Sequence, residues 1–195
     1  VEAFARAFTP DDDAVFVLKT DRTIGPGRPR LPGPPDRRNL SSWTVASIIH
    51  RHHPTADVAL VHDLLSYEQL AGLHARSDCW LSLPHAEGWD LGAFDAAIAG
   101  VPVITTAFGG ALAYLDPTSP LLIPGTTSGN PAVPGTTWLD PDVDAAVEAL
   151  RGVAAEPAEA KARAKSHADA IRAEYAPATV VQTFLDVLAA MGIGC

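Results

Sequence analysis

The sequence has few cysteines and few basic residues. Only two cysteines stand among 195 residues, Cys79 inside an apolar segment and Cys195 at the last position. They provide neither a disulfide framework nor a spacing typical of metal ligands, so we expect a reducing compartment. Fourteen Lys and Arg against 23 Asp and Glu give a formal net charge of -9. An acidic chain repels nucleic acid, and that class of partner is therefore disfavoured.

Long apolar runs are also missing. No stretch approaches the roughly 18 residues that cross a bilayer, and the first residues lack the basic and then apolar layout of a signal peptide. A cytoplasmic protein without a transmembrane segment is therefore the expectation. With 47% hydrophobic and 19% charged residues, the chain is long enough for one substantial core. No internal repeat or change of composition divides it, which predicts a single domain over residues 1–195.

Short apolar runs alternate with helical patterns along most of the chain. Strands are expected at 14–18, 56–61, 79–83, 101–105 and 121–123, and helices at 2–8, about 41–52, 66–76, 91–99 and after Gly109-Gly110. Strands that alternate with helices predict an α/β fold, a Rossmann-like parallel sheet flanked by helices. Residues 24–39 and the Thr, Gly and Pro-rich stretch up to Gly135 are expected to be irregular loops. Three alanine-rich helices, at about 142–154, 158–174 and 178–191, are predicted for a C-terminal helical segment over 142–195.

The most informative segment follows the third expected strand. In folds of this class, ligands bind beyond the carboxyl ends of the strands. Residues 84–95 read Pro-His-Ala-Glu-Gly-Trp-Asp-Leu-Gly-Ala-Phe-Asp and combine a loop carboxylate, Glu87, with a helix start and a second carboxylate, Asp95. The free N–H groups of a helix start suit a phosphate, and carboxylates accept hydrogen bonds from sugar hydroxyls. The segment therefore has the groups that a nucleotide-sugar would need.

The stretch from Glu87 to Gly110 resembles the donor-binding signature of the GT-B glycosyltransferases of retaining family 4, also called glycosyltransferase group 1. That signature is an acid, seven residues, a second acid, a small helix and a Gly-x-Pro-Val strand. Glu87, Asp95 and the Gly-Val-Pro-Val at 100–103 follow this order, and Gly109-Gly110 comes next. Residues 3–19 and 66–83 look like earlier helix–strand pairs of the family. The resemblance covers most of residues 1 to about 155.

The resemblance implies transfer of a sugar, with retention, from a nucleotide diphosphate-sugar to an unknown acceptor, which could be a glycan, a lipid or a small molecule. Glu87, as the candidate catalytic residue, would contact donor-sugar hydroxyls near the reacting carbon, and Asp95 would hold the ribose hydroxyls. Backbone N–H groups would face the sugar and the diphosphate, and the double glycine would close the phosphate side. The candidate donor-binding residues are Glu87, Gly88, Trp89, Asp90, Leu91, Gly92, Asp95, Gly109 and Gly110.

No metal or other cofactor is expected, because the family stabilises the leaving diphosphate with cationic side chains and a helix dipole. The sequence departs from the family at two positions of the signature. Asp95 stands where the family usually has Glu. Asp90 stands where it usually has Gly, and an anionic helix cap competes with phosphate for the same N–H groups.

The resemblance also implies that the first strand of the donor domain, its Arg and Lys and the whole N-terminal acceptor domain lie outside this sequence. A chain that does not turn over by itself is therefore expected. Two alternatives remain beside the transferase: a catalytically inactive nucleotide-sugar-binding or interaction module, and another GT-B chemistry such as a nucleotide-sugar epimerase. A phosphorylase would need a lysine for pyridoxal phosphate, and no lysine stands in a recognisable context for one.

Two further features are candidates for function. His85, beside the signature, is a candidate for proton transfer, since histidine ordinarily titrates near pH 6.5. The arginine-rich stretch 22–38 could attract an anionic acceptor or a lipid surface, which leaves peripheral membrane contact open. The histidines at 50, 52 and 53 have no partner at ligand spacing, so they are not expected to bind a metal.

Overall fold

The computed structural model describes residues 1–20, 40–61, 63–131 and 133–193. The expected loop over 24–39 and the arginine-rich stretch lie outside these ranges. The described helices are α1 (Glu2–Ala7), α2 (Leu40–His52), α3 (Tyr67–Arg76), α4 (Leu91–Ile98), α5 (Ala111–Tyr114), α6 (Val143–Ala155), α7 (Pro157–Glu174) and α8 (Pro177–Ala190). The described strands are β1 (Val15–Lys19), β2 (Asp57–Val61), β3 (Trp80–Ser82), β4 (Val103–Thr106), β5 (Leu122–Ile123), β6 (Gly125–Gly129) and β7 (Thr137–Pro141).

The expected alternation of strands and helices is confirmed. The contacts group the residues into two compact units, Val1–Leu70 with Val143–Gly152 and Ala71–Asp142 with Val153–Cys195. In the first unit β1 pairs with β2 in parallel. In the second, β3, β4 and β5 form a parallel sheet with β4 in the middle.

In the first unit, α1 packs its apolar side chains next to β1. Phe4 is buried and stacks on Phe16 of β1, with ring centroids 5.0 Å apart. Arg151 of α6 donates hydrogen bonds to the carbonyl oxygens of Arg6 and Ala7, at 3.0 and 3.3 Å. A guanidinium that satisfies the last carbonyls of a helix stabilises its C-terminus, so Arg151 fixes the end of α1.

The core of the second unit forms where small residues of α4 meet β4. Every residue of β4 is buried, and Ile104 and the alanines Ala93 and Ala96 have no exposed surface. Alanine lets a helix approach its sheet closely while it keeps a high helix propensity. The backbone N–H of Ala93 bonds to the Asp90 side chain, so the expected N-cap of α4 is confirmed. Gly100 follows the helix with a φ of 74°, the left-handed conformation that ends helices.

The expectation of an irregular loop up to Gly135 is wrong in its first part. Gly125–Gly129 is a strand, β6, and pairs antiparallel with β7, Thr137–Pro141. The indole N–H of Trp138 donates to the Ser128 hydroxyl at 2.8 Å, and that hydroxyl bonds to the Asp140 carboxylate. The hairpin, whose β6 strand begins and ends with glycine, is thus held by contacts between its two strands, which local composition does not reveal.

The three C-terminal helices are confirmed, with Pro157 and Pro177 in their first turns. The last of them, α8, buries none of its residues, and Phe184 is 61% exposed. Within the described ranges, none of the helices combines the length and apolar character that a membrane crossing requires.

Ile104 provides a test of the core. Replacing this fully buried side chain of the central strand with alanine leaves a cavity, and we expect Ile104→Ala to lower the free energy of unfolding by about 2–5 kcal/mol. Leu64, which is 90% exposed, is the matched control, and Leu64→Ala should change the value by less than about 0.5 kcal/mol. Urea unfolding followed by tryptophan fluorescence measures both variants. Equal effects would contradict the assignment of β4 to the core.

Candidate functional site

The signature loop, residues 84–90, runs from the carboxyl end of β3 to the start of α4. Glu87 and Gly88 at its centre are exposed. The backbone N–H of Gly88 donates to Oε1 of Glu87 at 3.1 Å, so the carboxylate lies over its own loop. The catalytic candidate is therefore at the surface, at the carboxyl edge of the sheet, where ligands of α/β folds bind.

The double glycine packs directly against this loop. The N–H of Gly110 donates to the carbonyl oxygen of Gly88 at 2.8 Å. A Cβ atom built on Gly109 or Gly110 would come closer than 3.0 Å to the carbonyl oxygen of Glu87 or of Gly88, respectively. Gly109 also has a φ of 66°. Only residues without a side chain allow this approach, so the structure brings Gly109 and Gly110 together with the centre of the signature.

Asp90 stands at the N-terminus of α4 in a left-handed conformation, with φ of 59° and ψ of 73°. Its Oδ1 accepts the N–H of Ala93 at 3.1 Å. Its Oδ2 is buried and has no hydrogen-bond partner in the described part of the chain. Burying a carboxylate oxygen without a partner costs free energy. The cap bond to Ala93 and the bond from Tyr114 to the Asp90 carbonyl oxygen hold the residue in this position.

Tyr114 of α5 ties down the end of the loop. Its buried hydroxyl lies 3.1 Å from the carbonyl oxygen of Trp89 and 3.2 Å from that of Asp90. Burial raises the pKa of Tyr114, and the negative charges of Asp90 and Glu87 raise it further. The phenol therefore stays a neutral donor, and both acidic side chains of the loop are close enough to act on it.

Trp89 anchors the loop by packing against three aromatic rings. Its indole contacts the rings of Phe94, Tyr114 and Tyr175, with centroid distances of 5.7, 5.2 and 5.4 Å. It is thus a structural anchor as well as a candidate ligand contact. Leu91, the first residue of α4, is 71% exposed beside it.

The second acid of the signature has a different neighbour. Gly92 of α4 packs on the Trp80 indole, since a Cβ atom there would lie 2.6 Å from the ring. Trp80 in turn contacts the His74 ring at 5.1 Å between centroids. Burial lowers the pKa of His74, and the charge of Asp95 opposes this shift. The charge of Asp95 thus acts on His74, whereas the charges of Asp90 and Glu87 act on Tyr114.

His85 contacts the β6–β7 hairpin. Its ring stacks on the Trp138 indole at 4.2 Å, its Nε2 lies 3.2 Å from Oδ1 of Asp140, and its carbonyl oxygen accepts the N–H of Leu139 at 2.9 Å. The sequence singled out His85 but neither Trp138 nor Asp140. Their proximity depends on the hairpin, and no local pattern in the sequence indicates it.

In the residues that the structure describes, no three His, Cys, Asp or Glu side chains form a group that could hold a metal ion. The polar groups around the signature loop are instead two carboxylates, backbone N–H groups of a helix start and a buried phenol. The exposed Glu87 carboxylate and the free N–H groups can bind hydroxyls and an anion at one edge of the sheet, and the phenol holds the loop in place.

The double glycine allows a sharp test. We expect Gly109→Ala to lower the melting temperature and to expose the signature loop to proteolysis, because its new methyl group clashes with the Glu87 carbonyl at an unfavourable φ. Gly129→Ala, which meets nothing within 4 Å, is the control and should leave both unchanged. Thermal unfolding and limited digestion with chymotrypsin, which can cleave after Trp89 in this loop, measure the difference. A Gly109→Ala variant as stable as the control would refute the close contact.

His74 predicts a pH dependence of stability. Its folded pKa is depressed by burial, so below about pH 6.5 the unfolded chain takes up a proton that the folded chain excludes, and stability falls as the pH drops. The loss of melting temperature between about pH 7.5 and about pH 5.5 should be smaller in His74→Gln than in the wild type. It should be larger in Asp95→Asn, which removes the charge that favours the protonated imidazole. Equal losses in all three proteins would contradict the assignment.

Comparisons with known proteins concern the fold and the family of the chain. The family model described as "Family 4 Glycosyltransferase in conflict systems" matches residues 46–184, more than half of the chain. No curated protein matches the sequence. The solved structure of sucrose-phosphate synthase from Thermosynechococcus elongatus matches 97% of this chain with a TM-score of 0.66 at 20% identity. This chain spans 42% of that structure's length. The expected α/β fold and the resemblance are thus confirmed, and the chain belongs to the family 4 glycosyltransferases in conflict systems.

Proposed function

We propose that this chain binds the donor of a sugar transfer, a nucleotide diphosphate-sugar, and that the transfer proceeds with retention to an unidentified acceptor. The observation that supports this most directly is the contact of Gly109 and Gly110 with the signature loop at the start of α4. It joins an exposed carboxylate, a helix N-terminus and close-packed backbone at the carboxyl edge of one parallel sheet. Membership of a glycosyltransferase family supports the same reaction class.

Each candidate residue has a part in this proposal. Glu87 accepts hydrogen bonds from hydroxyls of the donor sugar, and Asp95 accepts them from the ribose. The diphosphate lies at the start of α4, where Leu91 and Gly92 offer N–H groups that precede the first hydrogen bonds within the helix. Gly88, Trp89 and Asp90 shape the loop beside it, and Gly109 and Gly110 close the phosphate side.

The chemistry that this arrangement favours is departure of the nucleoside diphosphate. The bond between the anomeric carbon and the diphosphate oxygen breaks, while the acceptor hydroxyl oxygen bonds to the same face of that carbon. The acceptor's proton passes to the departing phosphate oxygen, so the charges balance. The N–H groups and the dipole of α4 stabilise the negative charge on the leaving group, and the proposed reaction needs no metal.

Asp90 favours a second candidate, a nucleotide-sugar-binding or interaction module that does not catalyse transfer. Its carboxylate already occupies the Ala93 N–H and places a negative charge at the helix start where the diphosphate would lie. A like charge at that point weakens anion binding. A nucleotide-sugar epimerase is a further alternative of the same fold, and it differs from the transferase in its product.

Titration calorimetry with UDP-glucose, GDP-mannose and ADP-glucose tests the donor site. We expect saturable binding of one nucleotide class, unchanged by EDTA, and a loss of about tenfold or more in Glu87→Ala, since a hydrogen bond to a charged group is removed. Glu156→Ala is the matched control, because Glu156 is exposed and makes no cap hydrogen bond. Absence of binding to all three sugars would contradict the proposal, as would equal losses in both variants.

Asp90→Gly tests whether the diphosphate lies at the start of α4. Glycine accepts the left-handed conformation of this position without strain, and it removes the charge beside the diphosphate. Tighter donor binding in this variant is expected if the diphosphate lies at the start of α4. Release of nucleoside diphosphate that depends on an added acceptor identifies a transferase. Recovery of an epimeric sugar identifies the epimerase.

A further inference from the structure

We propose that His85 and Asp140 form a clamp that sets the orientation of Glu87 in the donor site. The proposal rests on the proposed function, because it assigns Glu87 to the donor sugar. His85 and Asp140 are positioning residues in this view. They act through the signature loop and do not touch the donor.

The clamp is built from three contacts between one residue and one strand. The carbonyl oxygen of His85 bonds to the Leu139 N–H, its ring stacks on Trp138, and its Nε2 lies 3.2 Å from Oδ1 of Asp140. Three consecutive residues of β7 therefore hold His85 through its backbone, its ring face and its ring edge. A residue held at three points has little freedom to rotate.

The Asp140 carboxylate is itself held from the other strand of the hairpin. The Ser128 hydroxyl of β6 bonds to its Oδ2, and the Trp138 indole N–H donates to the same hydroxyl at 2.8 Å. The ring that stacks on His85 and the carboxylate that faces it are thus joined through one serine. Polar groups linked in this way fix each other's direction, so the hairpin presents Asp140 in one orientation.

Glu87 lies between two fixed points of the loop. His85 is clamped to the hairpin two residues before it, and Gly88, the residue after it, is bonded to the Gly110 N–H at 2.8 Å. The Glu87 carboxylate makes its own bond to the Gly88 N–H. Release of His85 would free the segment before Glu87 while the segment after it stays bound. The carboxylate would then change direction relative to α4.

Asp140→Asn tests the clamp, because asparagine keeps the size of the side chain but replaces the charged acceptor that faces the His85 ring with a weaker, neutral one. Asp78→Asn is the matched control, since it removes one charge from an exposed carboxylate elsewhere in the same unit. The amide resonance of Gly88, whose N–H bonds to Glu87, reports the position of the carboxylate in the ligand-free 195-residue protein. We expect Asp140→Asn to move this resonance and Asp78→Asn to leave it in place, with melting temperatures like that of the wild type.

A double-mutant cycle with the donor sugar that binds in the titration tests the route through Glu87. Asp140→Asn should weaken binding by about tenfold in the wild type and by less than about twofold in Glu87→Gln, because its effect requires the Glu87 carboxylate. Equal weakening in both backgrounds would overturn the clamp, and so would an unmoved Gly88 resonance. If none of the three sugars binds, the proposed function fails, and the Gly88 resonance alone decides whether Asp140 positions Glu87.

Discussion

Gly109 and Gly110 lie so close to the signature loop that neither could carry a Cβ atom, and the Gly110 N–H bonds to the loop at Gly88. The parts of the candidate site meet because of this contact. It fixes the position of the loop just after Glu87, and with it the position of the backbone that leads into α4. The Tyr114 hydroxyl then bonds to the next two carbonyl oxygens of the same segment, one turn of chain beyond the glycines. The loop is therefore positioned here by backbone contacts of two glycines and not by a side chain.

Two negative charges lie close to a helix start that would otherwise favour an anion. The start of α4 favours an anion, but Glu87 and Asp90 both place negative charge near it, as their effect on the Tyr114 phenol shows. Because burial keeps that phenol protonated, the bonds from Tyr114 to the loop persist over the physiological pH range. In the proposed donor site, the affinity for a diphosphate therefore depends on how the two carboxylates are arranged.

Features that depend on neighbours in the sequence were predictable. Ser66 and Gln69 make capping contacts at the start of α3, and the expected Asp90 cap begins α4, which ends before Gly100. These signals arise from backbone groups within one turn of the residue that satisfies them. The order of acid, helix, strand and double glycine likewise led to the prediction of a donor site, which stays a prediction.

The β6–β7 hairpin was not predictable in the same way. The sequence of β6, Gly-Thr-Thr-Ser-Gly, shows no alternation of apolar and polar residues, and its strand conformation depends on bonds to Trp138 and Asp140 of the opposite strand. For the same reason the sequence indicated that His85 was of interest but not what faces it. The influence of the Asp95 charge on His74 also depends on tertiary packing, which brings α4 and Trp80 together.

The parallel pairing of β3 with β4 has a consequence for the order of folding. Trp80 pairs with Val103, so the two strands cannot close as a hairpin and must wait until the chain between them has folded back as α4. Closing such a loop costs entropy before any strand contact repays it, which makes this step slow. During synthesis, the segment around Glu87 leaves the ribosome before Gly110 and Tyr114. It can take its final conformation only after those later residues have emerged.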